Sequence, residues 1–509
     1  MPIARTLCVA LQGLRGSLVD VEGDFVNATP KLVLIGLPDA ALSEARDRVR
    51  SASQNAGAPL SPRQLTVNLS PAALPKQGSG FDLAIAVVAA ACSGAIQPEA
   101  IANIVHLGEL ALDGRLRPIP GVLPAVHAAA QNGATQVVVP EANRAEAELV
   151  PGITVSSAIS LRELLIRYGA ELEPVELEPL LTRAHEPEAA QTVTDLSEVI
   201  GHADAVEAVV TAAAGGHHVM MLGPPGAGKT MLAQRLPTIL PDLSVDEAIE
   251  VASIASLAGE PIRGELCLTP PWQSPHHTAT APALAGGGSG FIRPGAIARA
   301  HRGVLFLDEA PEFSRVVLDV LRQPLESGEV VINRANAVAH FPARFQLVLA
   351  ANPCPCGLWG VPGASCECPP MMRRRYLARL SGPLLDRVDI QLWVPRTTSS
   401  LSAEAGVTTS AVAKTRVLTA RERAATRLRD TPWSKNVDVS GSWIRRQAPA
   451  MTDDARDLLD TALRRTGLSM RGADRVLRLA WTLTDLADAD RPNIDHVRRA
   501  LHLRRGMSQ

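Results

Sequence analysis

Gly223-Pro224-Pro225-Gly226-Ala227-Gly228-Lys229-Thr230 decides how this 509-residue chain is read. The apolar run Val219 to Leu222 before it has the length and composition of a buried strand, and Met231 to Leu236 after it continues as a helix. That context separates a phosphate-binding loop from a chance glycine-rich turn. The glycines let backbone N–H groups close around a polyphosphate, Lys229 neutralises its β and γ oxygens, and the Thr230 hydroxyl completes the shell of a magnesium ion. ATP with Mg2+ is therefore the expected cofactor pair.

A second stretch supports the first. Gly303-Val304-Leu305-Phe306-Leu307-Asp308-Glu309 has four consecutive apolar residues, the pattern of a parallel strand buried on both faces. Its two carboxylates fall at the C-terminal end, where open α/β sheets bind ligands. Asp308 is expected to hold magnesium through water, and Glu309 to orient and deprotonate the water that attacks the γ-phosphate. An apolar run ending in Asp-Glu is weak alone; downstream of a P-loop it is strong.

Length and composition bound the rest. A chain of 509 residues is too long for one core and is expected to form two to four domains. The formal net charge of −2 gives no global signature of nucleic-acid binding, so any such surface must be local, such as the lining of a channel. The longest apolar run, Leu83 to Ile96, is shorter than the roughly 20 residues that span a bilayer, and Met1 to Asp20 lacks the pattern of a signal peptide. No membrane association and a cytoplasmic location are expected. Of seven cysteines, Cys354, Cys356, Cys366 and Cys368 crowd into fifteen residues. Four thiolates in two close pairs point to a structural zinc ion, with reduced thiols or an iron–sulfur cluster as the other options.

Residues 1–168 alternate strand-like and helical runs, with strands at Lys31 to Leu37, Gln64 to Leu69 and Thr135 to Pro140 and helices at Ser43 to Ala56 and Asp82 to Cys92. Pro75 to Gly80 and Gly108 to Gly121 resemble the proteolytic domain of Lon-type proteases, which implies a Lon-protease/ribosomal-S5-like α/β fold. Ser79 stands in this region, but the stretch Val122 to His127, where that pattern carries its lysine, has none. Lys76 lies in a pre-glycine loop that reads as solvated, so the domain is expected to be proteolytically inactive, a ring-stacking or partner-binding module. Residues 169–192 are acidic and proline-punctuated and read as a linker. Residues 193–396 form the ATPase core, 397–440 a Ser/Thr-rich linker and a basic helix, and 441–509 a helical lid.

Further residues acquire roles through resemblance to AAA+ ATPases. Val199-Ile200-Gly201-His202 is similar to the segment that wraps the adenine, which makes Ile200 and Gly201 expected nucleotide contacts. Asn352 falls where those proteins place a polar residue that positions the attacking water. Ser381 to Asp389 resembles the segment whose arginine reaches into a neighbouring subunit, which would make Arg387 a finger in trans. Arg471 is the first candidate for the lid arginine that senses the γ-phosphate, and Arg475, one helical turn on, is the alternative.

Two insertions remain. Leu268 to Gly295 is a long Pro-, Gly- and His-rich excursion, in which His276 and His277 are poor metal ligands because adjacent histidines point apart. Glu329 to Val338 reads as a β-hairpin. Together they resemble the AAA+ branch of magnesium chelatase subunits and replicative MCM helicases, where the hairpin enters a ring's channel. Arg334 matches the basic residue near its tip and is the expected DNA contact.

The order of motifs across the chain resembles the YifB/ComM family of magnesium-chelatase-like AAA+ proteins. The resemblance implies an ATPase that forms a homo-hexamer and acts as a DNA motor on single-stranded or branched DNA, promoting branch migration in recombination or natural transformation. The alternative is a chelatase- or chaperone-like remodeller of a protein substrate.

Overall fold

The computed structural model describes residues 3–505 apart from 27–28, 30, 37–38, 62, 72–73, 75, 77–78, 181–193, 263, 289–291, 335–336, 362, 397–407, 448–449 and 467. Its N-terminal part is built on a mixed seven-stranded sheet. Two of its strands, Ala4–Gln12 and Arg15–Val26, form a long antiparallel hairpin, with Gln12 opposite Arg15. Gly13 turns it at φ 64°, a left-handed conformation open to glycine. Helix Asp82–Cys92 is buried at every position, which fits a sequence apolar all round and places it inside the domain. A Cβ on Gly23 would lie 2.5 Å from Val88 Cγ1, so this glycine lets the helix approach the sheet.

The ATPase part has a five-stranded parallel sheet in the order Trp272–Gln273, Val304–Leu307, Gln346–Ala351, Val219–Leu222, Ile390–Trp393. Its three inner strands are buried at every residue. Because strand side chains alternate, the sheet feeds two cores. Val219, Met221, Phe306, Val348 and Ala350 face helices Ala203–Gly215 and Lys229–Ile239, while Met220, Leu222, Leu305, Leu307 and Leu349 face the two insertions.

The basic helix Ser410–Arg427 is part of the first of these layers. Ala413, Val417, Ala420 and Ala424 make a buried stripe at helical spacing. Its arginines turn inward as well: Arg416 donates to both Glu207 oxygens at 2.8 Å, and Arg421 donates to the Ala213 carbonyl at 2.7 Å. The C-terminal region is helical, with Gly441–Gln447, Asp453–Thr466, Met470–Leu486 and Ile494–Arg505.

The N-terminal part meets the ATPase part through backbone contacts. Gly121 N–H donates to the Ser256 carbonyl and hydroxyl, and Gly13 bridges to His340. His340 belongs to the insertion hairpin Glu329–Arg334 and Ala337–Pro342. Of the acidic linker, 181–193 lies outside the described residues and 171–178 has no regular structure. Among the described residues no helix is long and apolar enough to cross a membrane.

Candidate nucleotide site

The P-loop leaves the C-terminal end of Val219–Leu222 and turns through Gly226 and Gly228, both at positive φ. Helix Lys229–Ile239 then starts inside the motif, so its free N–H groups face the loop. Lys229 is buried, and its ammonium donates to the carbonyls of Gly223 at 2.7 Å and Pro224 at 2.9 Å and to Asn352 Oδ1 at 3.1 Å. Burial pushes its pKa down, and the charges of Asp308 and Glu309 partly oppose that.

Strand register brings the second motif alongside. Thr230 Oγ1 donates to Asp308 Oδ2 at 2.8 Å. Thr230 and Asp308 thus stand together as the residues that would hold a magnesium ion. Glu309 has φ 49°, rare for a residue other than glycine and typical of constrained functional positions. Its backbone N–H donates to Asp308 Oδ1 at 2.9 Å. Lys229, Thr230, Asp308, Glu309 and Asn352 thus gather at one end of the sheet.

Of the residues expected to contact the adenine, Ile200 is 46% exposed and Gly201 has φ 78°. His202, the last residue of the segment Val199 to His202, is buried and lies beside Gly228, its Nε2 3.7 Å from where a Cβ there would stand. The sequence gives no reason to place His277 here, yet its Nδ1 lies 3.5 Å from Glu309 Oε2. What brings them together is register: Gln273 pairs with Leu305, so a residue four beyond one reaches a residue four beyond the other. A two-residue edge strand is too short to be read from sequence.

The four cysteines converge. Their sulfurs lie within 4.8 Å of one another, with Cys354 to Cys356 at 3.3 Å, Cys354 to Cys366 at 3.7 Å and Cys356 to Cys366 at 3.6 Å. A zinc tetrahedron with bonds near 2.3 Å has edges of about 3.8 Å, which this donor set fits. The loop also braces the nucleotide site: a Cβ on Gly357 would come 2.5 Å from Pro225 Cδ.

Arg387 lies elsewhere. It precedes Ile390, which pairs with Val219, whereas the P-loop follows Leu222. The intervening strand puts it about 13 Å back along the sheet at roughly 3.3 Å per residue. It ion-pairs with Glu326 and donates to the Pro383 carbonyl at 2.5 Å. With Glu326, Asp386, Arg471, Asp474 and Arg475 it lines a cavity of about 300 Å³. Arg475 ion-pairs with buried Asp389, while exposed Arg471 has no hydrogen-bond or ion-pair partner among the described residues.

In the N-terminal sheet, Lys76 is not solvated as its loop context suggested. It is 1% exposed, and its ammonium donates to the carbonyls of Pro71 at 2.6 Å and Leu74 at 3.4 Å. Ser79 instead donates to Glu109.

The description "Magnesium chelatase, subunit ChlI" matches residues 195–401, "Subunit ChlI of Mg-chelatase" matches 21–143, and its C-terminal region matches 407–504. The chain is 40% identical to competence protein ComM of Haemophilus influenzae over 507 residues, 99% of this chain and 98% of that one. The chain belongs to the YifB/ComM family of magnesium-chelatase-like AAA+ proteins. It is also 38% identical to the uncharacterised protein YifB of Salmonella typhimurium over 97% of this chain and 96% of that one. An uncharacterised protein of Mycobacterium tuberculosis is 48% identical over 99% of both chains.

Proposed function

We propose that this family member hydrolyses ATP in a ring of identical subunits, a homo-hexamer, and uses the cycle to move DNA through the ring's channel. The observation that carries the reading is the split of the catalytic set. Lys229, Thr230, Asp308, Glu309 and Asn352 sit beyond the C-terminal ends of the strands, and Arg387 and Arg471 stand at the opposite end with a cavity between them. A neighbour that supplies its arginine end to this P-loop completes the centre.

Within that centre, Lys229 turns from its two carbonyls to the β and γ oxygens, and the P-loop N–H groups hold the phosphate chain. Thr230 and Asp308 would hold a magnesium ion, which would supply positive charge against the phosphates. Glu309 accepts a proton from the attacking water, which Asn352 helps to hold. The neighbour's Arg387 stabilises the charge that develops on the leaving phosphates, and Arg471, with its guanidinium uncommitted, is the γ-phosphate sensor. Arg475 is spoken for by Asp389. Zinc at Cys354, Cys356, Cys366 and Cys368 is a structural clip on the P-loop.

The DNA part rests on Arg334, exposed at the described end of the hairpin just before 335–336, and on the competence name of a full-length relative. A phosphate contact there would be sequence-independent. Branch migration during recombination or transformation is the task this arrangement serves. The test is ATP turnover with and without single-stranded and forked DNA, for wild type and Arg334→Ala. Stimulation that Arg334→Ala removes is the expected result; turnover indifferent to every DNA moves the substrate to protein.

A further inference from the structure

The segment Trp272 to Gly287 is anchored at both ends. At its start, Pro271 O accepts from Val304 N–H at 2.8 Å, and the Trp272 ring stacks on Phe306 with centroids 5.3 Å apart. A Cβ on Gly303 would lie 1.9 Å from that same Pro271 oxygen, so only glycine admits the contact. At its far end, a Cβ on Gly286 would lie 2.8 Å from Ile332 Cδ1 and one on Gly287 2.9 Å from an Arg334 guanidinium nitrogen. The segment therefore spans from the catalytic sheet to the insertion hairpin, touching the residue assigned to DNA.

Midway stands His277. His276 bonds Thr278 Oγ1 through Nδ1 at 2.8 Å, its carbonyl accepts from Ala279 N–H at 2.9 Å, and its ring lies 4.1 Å from the His277 ring. These contacts fix the turn that carries His277, whose Nδ1 is 3.5 Å from Glu309 Oε2. The Glu309 side chain is 51% exposed, and among the described residues no hydrogen bond holds its carboxylate. A base free to rotate spends little time aimed at one water, and fixing it is worth as much as moving it nearer.

We infer that His277 is the positioning residue for Glu309, holding Oε2 through Nδ1–H so that Oε1 faces the attacking water, and that its strut ties this alignment to the hairpin. This rests on the ATPase reading but not on DNA as the substrate. A neutral imidazole suffices, since Nδ1 needs only to donate. A small closure of the turn brings 3.5 Å into hydrogen-bond range.

The test is steady-state turnover and ATP affinity of the full chain without DNA, for wild type, His277→Ala, His277→Asn, Glu309→Gln and the double variant His277→Ala/Glu309→Gln. His277→Ala is expected to lower kcat by about 10- to 100-fold with KM and ATP affinity unchanged. His277→Asn, whose amide nitrogen replaces Nδ1, recovers most of that loss. In the Glu309→Gln background His277→Ala costs nothing further, because a residue that acts through Glu309 has nothing left to align. A raised KM with kcat intact, equal losses in both backgrounds, or an asparagine variant no better than alanine each overturns the assignment. Wild type without any turnover overturns the ATPase reading itself. Turnover that ignores DNA removes only the DNA substrate, and the basal comparison still decides His277.

Discussion

The two ends of the ATPase sheet are made of the same kinds of residue and behave differently. At the C-terminal end Lys229 is held by carbonyls and Asn352, and Thr230 by Asp308. At the N-terminal end arginines crowd together. Arg387, Arg471, Arg475 and Arg478 line one cavity with Glu326, Asp386 and Asp474, and the crowding of Arg475 and Arg471, after burial, depresses the Arg387 pKa. An anion bound among these arginines would ease their mutual repulsion. In the proposed ring, the first end receives a nucleotide from solution and the second meets one already held by a neighbour.

Substitutions that sharpen this contrast differ in size. Lys229→Ala is expected to abolish ATP binding, as read by nucleotide titration, with the fold retained by circular dichroism. Arg387→Ala should cost about 10³-fold or more in turnover while binding persists, the magnitude typical of an arginine finger. Glu309→Gln should bind ATP and slow hydrolysis by about 10²- to 10⁴-fold; unchanged turnover would remove its assignment as the base. Arg471→Ala should lose more activity than Arg475→Ala loses through catalysis, and Arg475→Ala should instead lower the melting temperature, because it removes an ion-pair partner of buried Asp389. Smallest at the active site is the clip: purified protein is expected to carry one zinc per chain, and Cys356→Ser to lose it and soften the P-loop without ending turnover. Carefully prepared wild type free of metal would dispose of that site.

How much of this was visible beforehand follows from how local each feature is. The P-loop, Asp308 with Glu309 and the cysteine pairs are contiguous segments whose chemistry is set by neighbours in sequence, and the structure brings their side chains close together. The insertion hairpin was legible too, though it runs on to Pro342. What sequence could not supply was adjacency through register. Nothing in Trp272-Gln273 announces an edge strand, so His277 beside Glu309 stayed hidden. The ion pair that sets Arg475 apart from Arg471 runs to Asp389, more than eighty residues away. The burial of Lys76 was misjudged because its loop is polar in sequence while its amine is folded back onto two carbonyls. The hairpin Ala4–Gln12 and Arg15–Val26 went unread because its first strand, central in the sheet, lacks clean alternation.

The claim on which the account rests is that each catalytic centre takes one half from each of two chains. Lys229→Ala and Arg387→Ala, inactive alone, are to be mixed, dissociated and reassembled, and ATP turnover measured across the mixing ratio. The account requires activity to reappear and peak near equal amounts, since an intact P-loop from the Arg387→Ala chain then meets an intact finger from the Lys229→Ala chain. Mixtures as silent as their components, although shown to co-assemble, would contradict it.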